Sequence, residues 1–148
     1  MTNKQTVTLV LNVLDDNGDV VLNSKGDFAT ETITNIMRLN YCEKIPENHT
    51  GIVEDWDGSI EYYLNGKLHR EVGPAVINSD GTIEYYLNGK RHRENGPAII
   101  WGDGVKDWYI NDNDITVEVE EWIEENNIPE DWDDVHKSLF KSRFVYTS

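Results

Sequence analysis

The chain of 148 residues has one cysteine, Cys42, and only 13 basic side chains against 28 acidic ones. A single thiol excludes an internal disulfide framework and fits a reducing compartment. No stretch approaches the roughly 18 to 20 apolar residues that a membrane span needs. The apolar segment TVTLVLNVL near the start has no basic leader beyond Lys4 and runs into Asp15-Asp16 without a small-residue cleavage site. Its two-residue alternation is that of a strand, not a signal peptide. There is no nucleophile elbow and no phosphate-binding loop, and acidic pairs are too numerous for any two to stand out as acid and base. No catalytic residue and no cofactor is expected, so the chain does not read as an enzyme. Four scattered histidines offer no zinc spacing. Asp15-x-Asn17-x-Asp19 begins like a calcium loop but has Val20 where the turn glycine belongs and Gly26 where the bidentate glutamate would sit, and Asp112 with Asp114 is a poor chelate. No metal is expected.

The shortage of positive charge leaves a net charge of −15. Residues 1–58 carry 4 basic and 10 acidic groups, residues 59–104 carry 5 and 6, and residues 105–148 carry 4 and 12, for nets of −6, −1 and −8. Such a surface repels phosphate backbones and anionic lipids, so neither direct nucleic-acid binding nor membrane binding is expected. A basic protein partner and a cytoplasmic location fit better; the oligomeric state is left open. Five tryptophans and an aromatic share of 10% argue for a folded chain. Its length suits one domain over residues 1–148.

What is abundant is repetition. SIEYYLNGKLHREVGPAVINSDG (59–81) is followed by TIEYYLNGKRHRENGPAIIWGDG (82–104), with 17 of 23 positions identical, and the register continues, degraded, into Val105–Asp114. Thr50–Gly58 falls in register with the second half of a copy. A fixed period of this length marks one supersecondary unit stacked on the next. Within each copy an extended segment (Ile60–Leu64, Ile83–Leu87) meets Asn-Gly, the signature of a two-residue type I′ hairpin, and Lys67–Arg70 or Lys90–Arg93 returns. Gly-Pro then interrupts, a short strand follows, and Asp-Gly turns the chain into the next copy. The product should be an antiparallel meander over residues 50–114.

The flanks read less clearly. Residues 5–14 form a strand that turns at Asp15–Gly18, so that Val20, Val21 and Leu22 return as an N-terminal hairpin. Over Phe28–Leu39 the apolar spacing predicts an amphipathic helix capped by Asp27, although the threonines and isoleucines suit a strand as well. In residues 115–148 the spacing predicts an acidic helical pair. Thr116 would be the N-cap and Val119, Trp122 and Ile123 the stripe of the first helix. Asn126-Asn127 would end it, and Pro129 would open the second, with Trp132, Val135, His136, Leu139 and Phe140 as its stripe. The fold class is therefore α+β, with the helical pair packed on or capping the open end of the meander.

The unit Y-Y-L-N-G-K-x-H-R-E-x-G-P-A-x-I-x-x-D-G, carried by Tyr62–Gly81 and Tyr85–Gly104, resembles the MORN-repeat variants of bacteriophages, giant viruses and some bacteria. The resemblance covers about residues 50–114. It implies one hairpin per repeat and a scaffolding or protein-binding role. For a short chain of this style it implies a phage accessory protein, acting in the host-cell cytoplasm. The chain lacks the Gly-x-Gly that standard MORN repeats carry after the hairpin and has His-Arg-Glu and Gly-Pro-Ala instead, so lipid contacts are not carried over.

Three groups of residues are candidate sites. Asp112–Asp134 holds eleven acidic residues and no basic one. On a helix Glu118, Glu121 and Glu125 share a face, and with Asp131 and Asp133 they could contact a basic partner. Carboxylates on adjacent helical turns approach the charge density of duplex DNA, about one per 1.7 Å, which suits an inhibitor that mimics DNA. The plainer reading is a solvated face. Tyr63, Tyr86 and Tyr109 form a ladder that serves either as a binding or self-assembly face or as cross-strand packing. The clusters Lys67, His69, Arg70 and Lys90, Arg91, His92, Arg93 could hold an anion or small ligand. The alternative is structural, with Arg70 paired to Glu71, Glu61 or Glu84 and the histidines donating to loop carbonyls. The leading expectation is a non-enzymatic protein-binding module that inhibits a host protein.

Overall fold

Asn65-Gly66 and Asn88-Gly89 all have positive φ, 50° and 76° in the first turn and 51° and 80° in the second, as a type I′ hairpin demands. At a third turn Asn111 and Asp112 adopt 52° and 66°. Ile60–Leu64 returns through the first turn as Lys67–Leu68, Tyr86–Leu87 through the second as Lys90–Arg91, and Tyr109–Ile110 through the third as Asn113–Asp114. These elements belong to a computed structural model that describes residues 9–12, 30–33 and 36–147.

The hairpins hang from one sheet. Its strands run in the order Lys106–Asp107, Ile99–Ile100, Ile83–Glu84, Val76–Ile77, Ile60–Leu64, Gly51–Glu54 and Met37–Arg38. All neighbours are antiparallel except the last two strands, which lie parallel. Cross-strand partners share a face. One row therefore reads Ile60, Ile77, Ile83, Ile100, Lys106, and the opposite face reads Val53, Glu61, Val76, Glu84, Ile99, Asp107. The strand is interrupted at Tyr85 and at Trp108. At Tyr85 the N–H donates to the Ala98 carbonyl and the C=O accepts from His92. The expected meander over 50–114 is what the chain forms.

Beyond the last hairpin come helix α1 (Thr116–Asn126), helix α2 (Asp134–Phe140) and a π-helical turn at Lys141–Val145. Val119, Trp122 and Phe140 pack with Trp108, Ile110 and Ile115, flanked by Ile123, Ile128, Trp132, Phe144 and Val145. The pair thus closes over the last hairpin. Among the described residues no helix is long and apolar enough to cross a membrane.

Several local expectations are corrected. The helix over Phe28–Leu39 is absent from its described part: Thr30–Ile33 pairs antiparallel with Leu9–Asn12, and Met37–Arg38 pairs with Gly51–Glu54. β-branched Thr30, Thr32 and Ile33 favour that outcome once partner strands exist. Val20–Leu22 and the Asp15–Gly18 turn lie outside the described residues, as do Asp27 and Phe28. Thr116 does not cap α1. Ile115 holds the cap position without a side-chain bond, and the Thr116 hydroxyl accepts the Trp108 N–H at 3.0 Å. Pro129 precedes α2 without starting it; Asp133 is the cap, accepting the His136 N–H at 2.9 Å. Val135 and Leu139 are 63% and 51% exposed, so the inward stripe runs Trp132, His136, Phe140, Phe144. Asn127, left-handed at φ 49°, ends α1 as expected.

Candidate functional site

The two basic clusters are held by contacts within and between the copies. Each histidine reaches into the next turn: the Asn88 N–H donates to His69 Nδ1 at 3.0 Å, and the Asn111 N–H donates to His92 Nδ1 at 3.1 Å. The imidazoles therefore accept a backbone N–H, where donation to a loop carbonyl was expected. One turn earlier the Thr50 hydroxyl takes the Asn65 N–H at 2.9 Å. Each arginine folds back inside its own copy. Arg70 donates to the Pro74 carbonyl at 3.1 Å with its guanidinium 4.0 Å above the Tyr62 ring. Arg93 donates to the Pro97 carbonyl at 3.1 Å and lies 3.8 Å above Tyr85. Carbonyls and rings thus hold the two arginines. Lys67 and Lys90 are exposed beside the turns. Arg91 lies 3.8 Å from Glu84. A hollow of about 200 Å³ lies between the copies, lined by Arg70, His92, Arg93 and Lys141 together with Glu71 and Glu94.

The tyrosine ladder is half-buried. Tyr63 donates its hydroxyl to Glu61 at 2.9 Å and Tyr86 donates to Glu84 at 3.0 Å. Tyr109 donates to Asp114 at 3.2 Å, the chain having replaced the pattern at its degraded end. Burial, followed by the hydrogen bond to Glu61, pushes the Tyr63 phenol well above its usual range. Burial also raises the Glu61 carboxyl. The hydroxyls are committed to carboxylates, two residues back along the chain for Tyr63 and Tyr86 and across the hairpin for Tyr109.

The acids of α1 face outward. Val119 and Trp122 fill the inner face, while Glu118, Glu120, Glu121, Glu124 and Glu125 are all exposed around Val117. Among the described residues no ion pair engages any of these five. Asp131 is exposed on the α1–α2 connection. Asp133 differs: the backbone N–H of His136 holds its carboxyl below the usual range, so its charge is used at the start of α2.

A further feature is a groove of about 660 Å³ between the sheet and the α1–α2 connection. Ile83, Ile100 and Lys106 of one sheet row form its floor, with Pro97 and Trp108 beside them. Ile128, Glu130, Asp131 and Trp132 form the opposite wall. Sequence reasoning placed Trp132 on the stripe of the second helix and named neither Lys106 nor Trp108 as a site residue. The one available signal was Trp108 standing where the earlier copies have tyrosine. Among the described residues no three His, Cys, Asp or Glu side chains are grouped to hold a metal ion. No family model, no curated protein and no solved structure matches the chain.

Proposed function

We propose that this chain is a non-enzymatic protein-binding module that engages a basic partner through the outer face of α1. The observation that carries the reading is the row of five exposed glutamates on one short helix, none ion-paired among the described residues. The competing candidates are spent inside the fold: tyrosine hydroxyls on carboxylates, imidazoles on backbone N–H groups, arginines on tyrosine rings. Like charges kept together on a surface cost stability unless a partner or solvent screens them, and they steer association with a basic surface. The specific form of the proposal is a MORN-like, phage-encoded inhibitor of a host nucleic-acid-binding protein, acting in the cytoplasm.

The test is capture from bacterial lysate by the tagged full chain, beside Glu118→Gln/Glu121→Gln/Glu125→Gln. Asp133 is left intact because it caps α2. Retention of a basic protein by the wild type alone, released by moderate salt, is expected. Equal recovery by both chains, insensitive to salt, would sink the proposal.

A further inference from the structure

The first two copies place a guanidinium on a ring: Arg70 on Tyr62 at 4.0 Å and Arg93 on Tyr85 at 3.8 Å. One period on, the ring is Trp108 and the arginine position is Thr116, and the ring packs instead with Ile115, Val119 and Trp122. Trp108 is only 6% exposed, and its indole Nε1 finds no hydrogen-bond partner among the described residues. Trp108 borders the 660 Å³ groove, and Trp132 borders it from the opposite wall. The Trp132 ring is held by Trp122 at 5.7 Å and by Phe140 at 5.3 Å. At the same wall Glu130 and Asp131 are exposed, and no ion pair engages them among the described residues.

We infer that this groove takes an arginine side chain, flanked by apolar residues, from a segment of a basic partner protein. Tryptophan faces are the strongest cation–π acceptors, and of the two at this groove Trp132 is the half-buried one that a guanidinium can reach. Carboxylates bind a guanidinium fork in a bidentate way that a lysine cannot match. The apolar floor of Ile83, Ile100 and Pro97 suits aliphatic neighbours of that arginine. Lys106 opposes a cation, which places the guanidinium toward Glu130 and Asp131 and a backbone carbonyl of the segment toward Lys106. This rests on the reading of the chain as a binder of basic protein, and it names what that partner inserts.

The test uses the full ¹⁵N-labelled chain and two short capped peptides of equal length and charge, one alternating arginine with leucine and one arginine with serine. The arginine–leucine peptide should move the indole N–H resonances of Trp108 and Trp132 and bind about tenfold more tightly than the serine peptide. Glu130→Lys/Asp131→Lys, both at exposed positions, should abolish that advantage at an unchanged melting temperature, and Lys106→Met should enlarge it. If both peptides bind alike and move only α1 amides, the groove inference falls while the acidic-helix proposal stands. If neither peptide moves the two indoles at millimolar concentration, the groove inference falls. A lysine–leucine peptide that performs equally would overturn the assignment to arginine. Indole shifts as expected, with lysate capture unaffected by the α1 Glu→Gln changes, would keep the groove and sink the acidic helix.

Discussion

Residues 59–104 and residues 105–145 are held together by different means. In the first, repeated backbone and side-chain bonds pass from one copy to the next, and apart from Tyr85 the buried apolar residues are small or branched, among them Ala75, Val76, Ala98 and Ile99. In the second, where the repeat decays, an aromatic cluster takes over, with Phe140 packed 5.2 Å from Phe144 and 6.4 Å from Trp122. A unit that stacks on copies of itself satisfies its polar groups by repetition, but its last copy has no successor. The helical pair is that successor: Ile115 donates its N–H to the Trp108 carbonyl, as His92 does to Tyr85 and His69 to Tyr62.

The sharpest way to break this contrast is Phe140→Ala. Phe140 is fully buried, so truncation should cost about 3–5 kcal/mol in urea unfolding. Hydrogen exchange should show α1 amides losing more protection than those of Tyr62 and Ala75. Uniform loss would mean that the two regions unfold as one.

Next in size is a contrast between two turns of identical sequence. A Cβ on Gly66 would lie 1.7 Å from the Glu47 carbonyl oxygen, whereas one on Gly89 meets only the Lys67 side chain at 3.5 Å. Gly89→Ala should cost about 1–2 kcal/mol for left-handed backbone. Gly66→Ala should cost about 1–3 kcal/mol more because the loop at 46–49 must move. Equal melting temperatures for the two variants would refute the difference.

His92→Ala, at a buried, hydrogen-bonded site, should cost about 1–2 kcal/mol, and His69→Ala, whose bond lies at an exposed turn where water can replace it, should cost less. Thr50→Ala, at an exposed site, should cost less in the same unfolding series.

The smallest effect is on pH dependence. Backbone N–H bonds, from Ser59 to Asp57 and from Thr82 to Asp80, hold those carboxyls below their ordinary value of 3.8, as side-chain and backbone bonds from Thr116 do for Asp114. A depressed carboxyl stabilises the fold above its unfolded value and loses that contribution as pH falls through the folded one. Melting temperatures should therefore drop below pH 3.8, and Asp80→Asn, which keeps the turn acceptor, should flatten part of the slope. Glu61 works in the opposite sense: burial raises it, so its ionised form costs stability at neutral pH and the cost vanishes on acidification. Glu61→Gln should raise the melting temperature at pH 7 and not in acid. A slope unchanged in both variants would contradict these assignments.

The meander was legible because its signals are local. Asn65-Gly66 and Asn88-Gly89 specify a turn by their own backbone freedom, and alternation in Ile60–Leu64 specifies a strand. The segment over 28–39 was not legible, because its apolar spacing fits a helix and only the strands at Leu9–Asn12 and Gly51–Glu54 decide otherwise. Val135 and Leu139 fit a helical stripe on paper, yet the aromatic cluster rotates α2 so that both face solvent. Of the candidate sites, the exposure of the α1 glutamates follows from the positions of Val119 and Trp122. The destinations of His69 and His92 do not, because each bonds a residue 19 positions away.

The sequence by itself determined the period, the hairpin turns, the acidity of the C-terminal segment and the stripe that buries α1, since each depends on residues within a turn or two of one another. Only the tertiary structure decided which charges remain unpaired and where the groove lies. Those depend on a loop at Ile128–Trp132 brought to the sheet by aromatic packing, and packing between distant segments is written in no local pattern.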